Sequence, residues 1–430
     1  MRAPRFHHRS RSHASAHADE AAAPAHAGHG VEHPLVHRGP PQVVTDSSAL
    51  AELVEHLRSV GTFAYDSEFI GELTYIPRLC LIQVATHKRV ALIDPLADGM
   101  NLAPFWDLLC DAAVEKVVHA GQQDVEPVFR HAGRPPANLF DTQIAAGFVG
   151  LPYPLALSKL VNELVGARLG KGLTFTDWSQ RPLSNLQLRY AADDVRFLPA
   201  ARAEFATRLT ALGHAAWARE ESDALADESL YRFNPDAQYL KIRGAGSLPP
   251  HGLAVLRALA NWRDQSARAE DVPPRTFLRD EILLDMARTP IKSVEKLARV
   301  RGLPRPVEAN YGKTIVDLTQ AALALPPAEM PEPKTFEPSP REKYRGDALW
   351  SAAQAICFGR SIDPAVVTSR QDVGDFLRRY SNGGVEGEES KLMRGWRRSA
   401  LGEPLLAMLR GDRRFTLGWV DGDLRTGPAA

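Results

Sequence analysis

Cysteine is scarce: the chain of 430 residues has three, Cys80, Cys110 and Cys357, with no CxxC spacing among them. That excludes a disulfide framework and a zinc cluster, and it predicts a reducing, cytoplasmic setting. Long apolar runs are missing too. No stretch approaches the roughly 20 residues needed to cross a bilayer, so no membrane association is expected. Net charge is also absent. The 52 Lys and Arg balance 52 Asp and Glu, so the overall field draws in no polyanion and any nucleic-acid contact has to be local. Residues 1–40 lack both the apolar stretch of a secretory signal and any periodicity, and they read as a disordered tail. Its histidines (His7, His8, His13, His17, His26, His29, His33 and His37) are too irregularly spaced for a designed metal site.

What is present is a globular composition, 44% hydrophobic and 24% charged, over a length that suggests two or three compact units. From about Gln42 strand and helix signals alternate. A helix capped by Ser47 or Ser48 runs to Val60, and strands follow over Thr62–Phe69, Arg78–Thr86 and Val90–Pro95, a three-strand meander. A helix at Leu102–Ala112, a strand at Val114–Ala120 and a helix at Gln123–Ala132 come next. Helical spacing then dominates at Asp141–Gly150, Ala156–Gly166, Asn185–Asp194 and Leu198–Leu212. The fold class this implies is α/β, a mixed sheet flanked by helices, over 41–215.

Residues 216–247 read as a linker. An all-α bundle is expected over 248–326, with helices near Leu253–Arg268, Asp280–Arg288, Ser293–Arg299 and Val307–Leu323. A Pro- and Glu-rich linker covers 327–341. A C-terminal helical region fills 342–430, with helices near Tyr344–Gly359, Asp372–Tyr380 and Glu389–Leu409.

Three acidic groups stand out. In the strand Phe63-Ala64-Tyr65-Asp66-Ser67-Glu68-Phe69 the two acids are two positions apart and project from one face, where they can share a cation. Two carboxylates on an otherwise apolar strand are costly unless a divalent metal compensates; alone, the pair fits a solvated strand face better. Asp124 follows an apolar strand and begins a helix, a place that commonly supplies ligands and equally one where an acid suits the helix dipole. Tyr190 and Asp194 lie one helical turn apart and face the same way, with Asp193 near that face. Spacing alone does not decide between the two aspartates.

These residues carry a family resemblance. Asp66-Ser67-Glu68-Phe69, Thr74-Tyr75-Ile76-Pro77-Arg78-Leu79-Cys80-Leu81-Ile82-Gln83 and His119-Ala120-Gly121-Gln122-Gln123-Asp124 resemble the first exonuclease motifs of the ribonuclease D family, in order and spacing. Asp141-Thr142-Gln143, the segment Leu160 to Gly166, and Asp177-Trp178-Ser179-Gln180-Arg181-Pro182-Leu183 leading into Gln187, Tyr190 and Asp194 continue the match. The likeness is strong over Gln42 to Leu212. From Pro249 to about Leu325 the chain resembles the helical HRDC domain that RecQ-type helicases share with ribonuclease D, and 342–430 would be a degenerate second copy.

The resemblance implies a ribonuclease-H-like fold of the tyrosine-bearing DEDD subclass, with Asp66, Glu68, Asp124, Tyr190 and Asp194 catalytic. It selects Asp194 over Asp193. It implies two divalent ions, Mg2+ or Mn2+, which four hard-oxygen ligands suit. Asp66 would bridge both, Glu68 and Asp194 would complete one site and Asp124 the other, while Tyr190 orients the attacking water. The expected substrate is RNA with a free 3′ end, such as tRNA precursors and small structured RNAs, with no obligate protein partner. Phe69, Gln83 and His119 border the site as contacts to the terminal nucleotides or as packing. Lys292, Lys296, Arg299, Arg301, Arg305 and Lys313 form a local basic cluster for phosphates or a solvated helix face. A DNA 3′-to-5′ exonuclease and a catalytically silent nucleic-acid-binding protein are the competing readings.

Overall fold

The computed structural model describes residues 32–170, 172, 176–332, 339–384, 390–421 and 423–428. Strand β1 (Gln42–Val44) leads to helix α1 (Ser47–Val60), then β2 (Thr62–Ile70), β3 (Arg78–Ala85), β4 (Val90–Ile93), α2 (Ala103–Leu109), β5 (Glu115–Val118), α3 (Gln122–Ala132) and β6 (Leu139–Asp141). Helices α4 (Thr142–Gly147), α5 (Leu157–Val165), α6 (Asn185–Arg196), α7 (Leu198–Leu212) and α8 (Ala215–Asp223) follow. The sheet runs β1-β4-β3-β2-β5-β6, antiparallel across β4-β3-β2 and parallel at both edges. The expected meander is therefore the centre of a six-stranded mixed sheet.

Alternation along β2 sends its residues into two layers. Phe63 and Tyr65 join the cluster under α1 and α2, whereas Ala64 joins the one built by α4, α5 and α7. Asp66 and Glu68 share the Ala64 face, over which α6 packs. The sheet thus sets two acids at its centre, on the side where α6 delivers Tyr190 and Asp194.

Several sequence-based boundaries shift. Asp46, not Ser47 or Ser48, caps α1 through its carboxylate, accepting from the N–H groups of Ser48 and Ala49 at 3.0 and 2.9 Å. The predicted helix at Asp141–Gly150 is β6 followed by the shorter α4, because Asp141 ends a strand and caps the helix. Residues 1–31 lie outside the described part, but 32–40 do not continue a free tail. Leu35 and Val36 pack on the core, and Arg196 donates to the carbonyls of His37 and Gly39.

The region 216–247 is likewise no empty linker. Helix α8 and four short 3-10 turns occupy 215–247, Trp217 stacks 5.0 Å from His214 and 6.1 Å from Trp396, and Tyr239 and Ile242 join the next core. That core belongs to an all-helical bundle of α9 (Pro250–Ala269), α10 (Pro274–Phe277), α11 (Asp280–Arg288) and α12 (Arg305–Leu323). The bundle is tied to the β2–β3 loop at Tyr75, whose N–H donates to the Asp271 carboxylate at 3.1 Å. The Tyr75 hydroxyl donates to Asp264 at 2.7 Å and accepts from Arg268 at 2.9 Å, while the Arg268 guanidinium sits 4.7 Å over its ring.

After residues 333–338, which lie outside the described part, α13 (Pro340–Phe358), α14 (Pro364–Val367), α15 (Arg370–Ser381), α16 (Gly395–Arg397) and α17 (Glu403–Arg410) return to the exonuclease-side core. Asp363 donates its N–H to the Gly147 carbonyl at 2.8 Å, and Trp396 packs 4.7 Å from Phe148. The C-terminal region is not purely helical as expected. It ends in an antiparallel hairpin, β7 (Phe415–Val420) and β8 (Asp423–Pro428). No helix among the described residues is long and apolar enough to cross a membrane.

Candidate active site

Each acid is held by a different local device. Asp66 and Glu68 come from β2, with Asp66 opposite Gln83 and Glu68 opposite Leu81 on β3. A register shift between Glu68 and Phe69 ends the regular pairing there. Asp124 enters from the first turn of α3, where acids suit the helix dipole. The opposite face of β2 grips it: the Tyr65 hydroxyl donates to its carbonyl at 2.9 Å, and the Ser67 hydroxyl donates to its carboxylate.

The turn before α3 is tight. Ala120 sits at φ 56°, and a Cβ on Gly121 would fall 2.5 Å from Val118 Cγ2. What fixes this turn is Asp141, buried and accepting from the N–H groups of Ala120, Gly121, Gln143 and Ile144 at 3.2, 2.9, 2.7 and 3.3 Å. Asp141, legible in the sequence only as part of a motif, ties the turn that precedes Asp124 to the start of α4.

Helix α6 carries the remaining pair. It starts on a capping box in which Ser184 and Gln187 bond reciprocally, and Gln187 also reaches the Asp177 carbonyl at 3.2 Å. The Asp-Trp-Ser-x-Arg-Pro-Leu block is the brace behind it. Arg181 forks onto Asp94 at 2.6 and 2.8 Å and donates to the carbonyls of Cys80 and Trp178, while the Trp178 ring lies 6.1 Å from that of Tyr190. Asp193 is spent on Arg196 at 3.1 Å, so of the two neighbouring aspartates it is Asp194 that bonds Tyr190.

The electrostatics are those of crowded like charges. Burial and then the charges of Asp124, Asp194 and Glu68 push Asp66 well above the usual carboxylate range. Burial, Asp194 and Asp124 raise Glu68 to about 8. Asp194 rises to about 7 through burial and Asp193, against the Tyr190 hydrogen bond that lowers it. Asp124 rises to about 6, burial outweighing the hydrogen bonds from Ser67 and Asp66. Burial and the charges of Asp194, Glu68 and Asp66 keep Tyr190 firmly protonated. Among the described residues no lysine or arginine is among the main causes acting on these four acids. A hard-oxygen donor set of this sign fits divalent cations. Among the described residues no three acids, histidines or cysteines already form a closed ligand group.

The three expected nucleotide contacts fare differently. Gln83 is fully buried, with neither side-chain polar atom bonded within the protein, so its amide cannot meet a nucleotide in the cleft. His119 is half-buried, its Nδ1 on the Thr142 hydroxyl at 2.9 Å, and burial lowers its pKa so that the ring stays neutral. Phe69 lines a side cavity of about 450 Å³ with Leu79, Pro127 and His131. The six basic residues from Lys292 to Lys313 are all exposed, and Lys313 pairs with Asp317 at 2.6 Å.

Comparison with known proteins bears directly on this cluster. A 3′–5′ exonuclease family model matches residues 41–209, which hold all of Asp66, Glu68, Asp124, Tyr190 and Asp194, and an HRDC domain model matches 252–319. The chain is 36% identical over 385 residues to ribonuclease D of Gluconacetobacter diazotrophicus, across 89% of this chain and 95% of that one. Against ribonuclease D of Zymomonas mobilis the identity is 35% over 377 residues, across 87% and 95%. The crystal structure of Escherichia coli RNase D, an exoribonuclease involved in structured RNA processing, matches with a TM-score of 0.76 at 30% identity, covering 87% of this chain and 99% of that one. Exonucleases of the DEDD type generally depend on divalent metal. With its length, its sheet and its helical bundle all accounted for by these matches, the chain belongs to the ribonuclease D family and is a 3′-to-5′ exoribonuclease.

Proposed function

We propose that the chain trims the 3′ ends of tRNA precursors and other small structured RNAs, releasing nucleoside 5′-monophosphates one at a time from a site made of Asp66, Glu68, Asp124, Tyr190 and Asp194. The four carboxylates would hold two divalent cations, Mg2+ or Mn2+. When bound, these supply the Lewis acidity that activates water and neutralises charge on the leaving oxygen. The observation that carries the reading is the set of buried acids from β2, α3 and α6, each raised by burial and several by one another, with no cation among the described residues to offset them.

The chain's own groups do the positioning. Tyr190, protonated and bonded to Asp194, orients the attacking water; a phenol held this high is a poor sole base. Glu68 accepts from the terminal hydroxyl of the RNA, which restricts attack to a free 3′ end. His119, with its neutral ring, and Phe69 border the terminal nucleotides, and Gln83, cross-strand partner of Asp66, fills the buried sheet face beside it. The basic residues Lys292, Lys296, Arg299, Arg301, Arg305 and Lys313 hold the RNA body by its phosphates.

The test is a comparison of single-stranded RNA with single-stranded DNA of the same sequence, with Mg2+, with Mn2+ and with EDTA. Nucleoside 5′-monophosphates released from RNA in the presence of metal, and abolished by EDTA, are expected. Equal release in EDTA would refute the metal reading, and preferential release from DNA would replace the substrate.

A further inference from the structure

Between the sheet domain and the helical bundle lies an open cleft of about 820 Å³, room on the order of a drug-sized ligand or a short stretch of nucleotides. Its near wall includes Gln122 and Gln123, which precede Asp124 in the first turn of α3, while none of the five candidate catalytic residues lines it. Its far wall is the stretch from Leu225 to Lys241, which falls between the two regions matched by family models. Neither match gives this stretch a role.

The chemistry of that wall is specific. Tyr231 is fixed by its hydroxyl, which donates to the Leu225 carbonyl at 2.7 Å, and by its ring, 5.0 Å from Phe129. Asp124 is among the charges acting on its phenol, which places it within electrostatic reach of the acid. Phe233 is half-buried, lines the cleft and has no ring partner among the described residues. Arg232 and Lys241 line the same wall, exposed. The ion pair of Arg232 with Glu228 at 2.8 Å leaves its side chain 72% exposed, a pairing worth little in water.

The acids that line the cleft are already engaged. Glu126 pairs with Arg130 at 2.8 Å, Asp264 accepts from Tyr75, and Asp141 is saturated by backbone N–H groups. What the cleft offers a ligand is thus flat apolar rings beside exposed cations, the surface that grips single-stranded nucleic acid by stacking and phosphate pairing.

We propose that residues 225–241 form a binding site for the single-stranded RNA just upstream of the 3′ end, with Phe233 stacking on a base and Arg232 and Lys241 pairing with phosphates. The inference rests on the exoribonuclease reading and extends it to substrate length: an RNA long enough to cross the cleft binds more tightly than one that fills the catalytic pocket alone. The Tyr75 bonds to Asp264 and Arg268 keep the bundle in place as the side of this channel.

Steady-state kinetics on the full chain test it with two substrates, a long single-stranded RNA oligomer and a ribodinucleotide. Phe233→Ala is expected to raise KM for the oligomer about tenfold or more, the usual loss for one stacked base, and leave dinucleotide kcat/KM unchanged. Phe233→Leu keeps apolar bulk without the flat ring and should show the same split. Arg232→Glu combined with Lys241→Glu, on exposed positions, should raise oligomer KM and flatten its salt dependence by roughly one unit of slope for each phosphate released from pairing. Oligomer KM within twofold of wild type in all three variants would overturn the proposal. So would a matching fall in dinucleotide turnover, which would make the stretch a support for the acids. A wild type that degrades neither substrate would instead sink the exoribonuclease reading itself.

Discussion

Two regions of this molecule handle buried charge in opposite ways. In the helical bundle Arg263 and Asp280, only 10% and 17% exposed along their side chains, meet at 2.7 Å; Arg263 also caps the Leu278 carbonyl, and Arg275 adds a second cation at 2.9 Å. In the sheet domain Asp66, Glu68, Asp124 and Asp194 gather with no such partner among the described residues, and their pKa values climb instead. A paired buried charge holds a fold together, and an unpaired cluster of one sign is kept for a ligand that brings the missing charge. The contrast separates framework from chemistry without reference to motif.

The sharpest break of the comparison is Asp66→Asn. It should cut RNA hydrolysis by roughly 10³ or more, several kcal/mol of lost transition-state stabilisation, while raising the thermal stability of the metal-free protein. Tyr190→Phe comes next, with kcat down by about 10² and the Mg2+ affinity within about twofold of wild type; an equal loss of both would remove Tyr190 from the water-orienting role. On the other side of the comparison, Arg263→Ala should cost about 3 kcal/mol of stability in denaturant unfolding and leave dinucleotide turnover intact. The smallest effect is expected from charge reversal at Lys296, Arg299 and Arg305. Each should lower the slope of log affinity against log salt by about one for a structured RNA, with no change in kcat.

How much of this could be read before any coordinates? Spacing marked Asp66 with Glu68 on one strand face and Tyr190 with Asp194 on one helix turn, because such periods survive in one dimension, but it left Asp193 open and gave Asp124 no special weight; the resemblance to ribonuclease D selected the set of five. The bundle helices α9, α11 and α12 were legible too, whereas the four-residue α10 was missed and the helix expected at Ser293–Arg299 is a 3-10 turn over Val294–Arg299. The edge strands β1 and β6 were missed, being three residues long and without room for alternation to register. The 216–247 stretch passed for a linker because what orders it is distant: Trp217 against Trp396, and Tyr239 and Ile242 in the bundle core. Arg196 holding His37 and Gly39 is likewise a pairing that no local pattern announces. Gln83 was drawn toward substrate by its motif and is instead sealed beneath the site, since its pairing with Asp66 sets it on the face that α6 covers.

The central claim is that a cage of acids makes the empty site costly and a divalent cation makes it tolerable. With Glu68 raised to about 8, Asp194 to about 7 and Asp124 to about 6, the groups are neutral in both folded and unfolded chains only below the ordinary carboxylate range. Above it the unfolded chain ionises first, so the metal-free protein loses stability as pH rises toward about 8. The direct measurement is the melting temperature with and without Mg2+ across that interval. The account predicts that Mg2+ raises it more at about pH 8 than at about pH 5, and that Asp66→Asn flattens both the pH dependence and the Mg2+ response; a melting temperature indifferent to Mg2+ at every pH would contradict it.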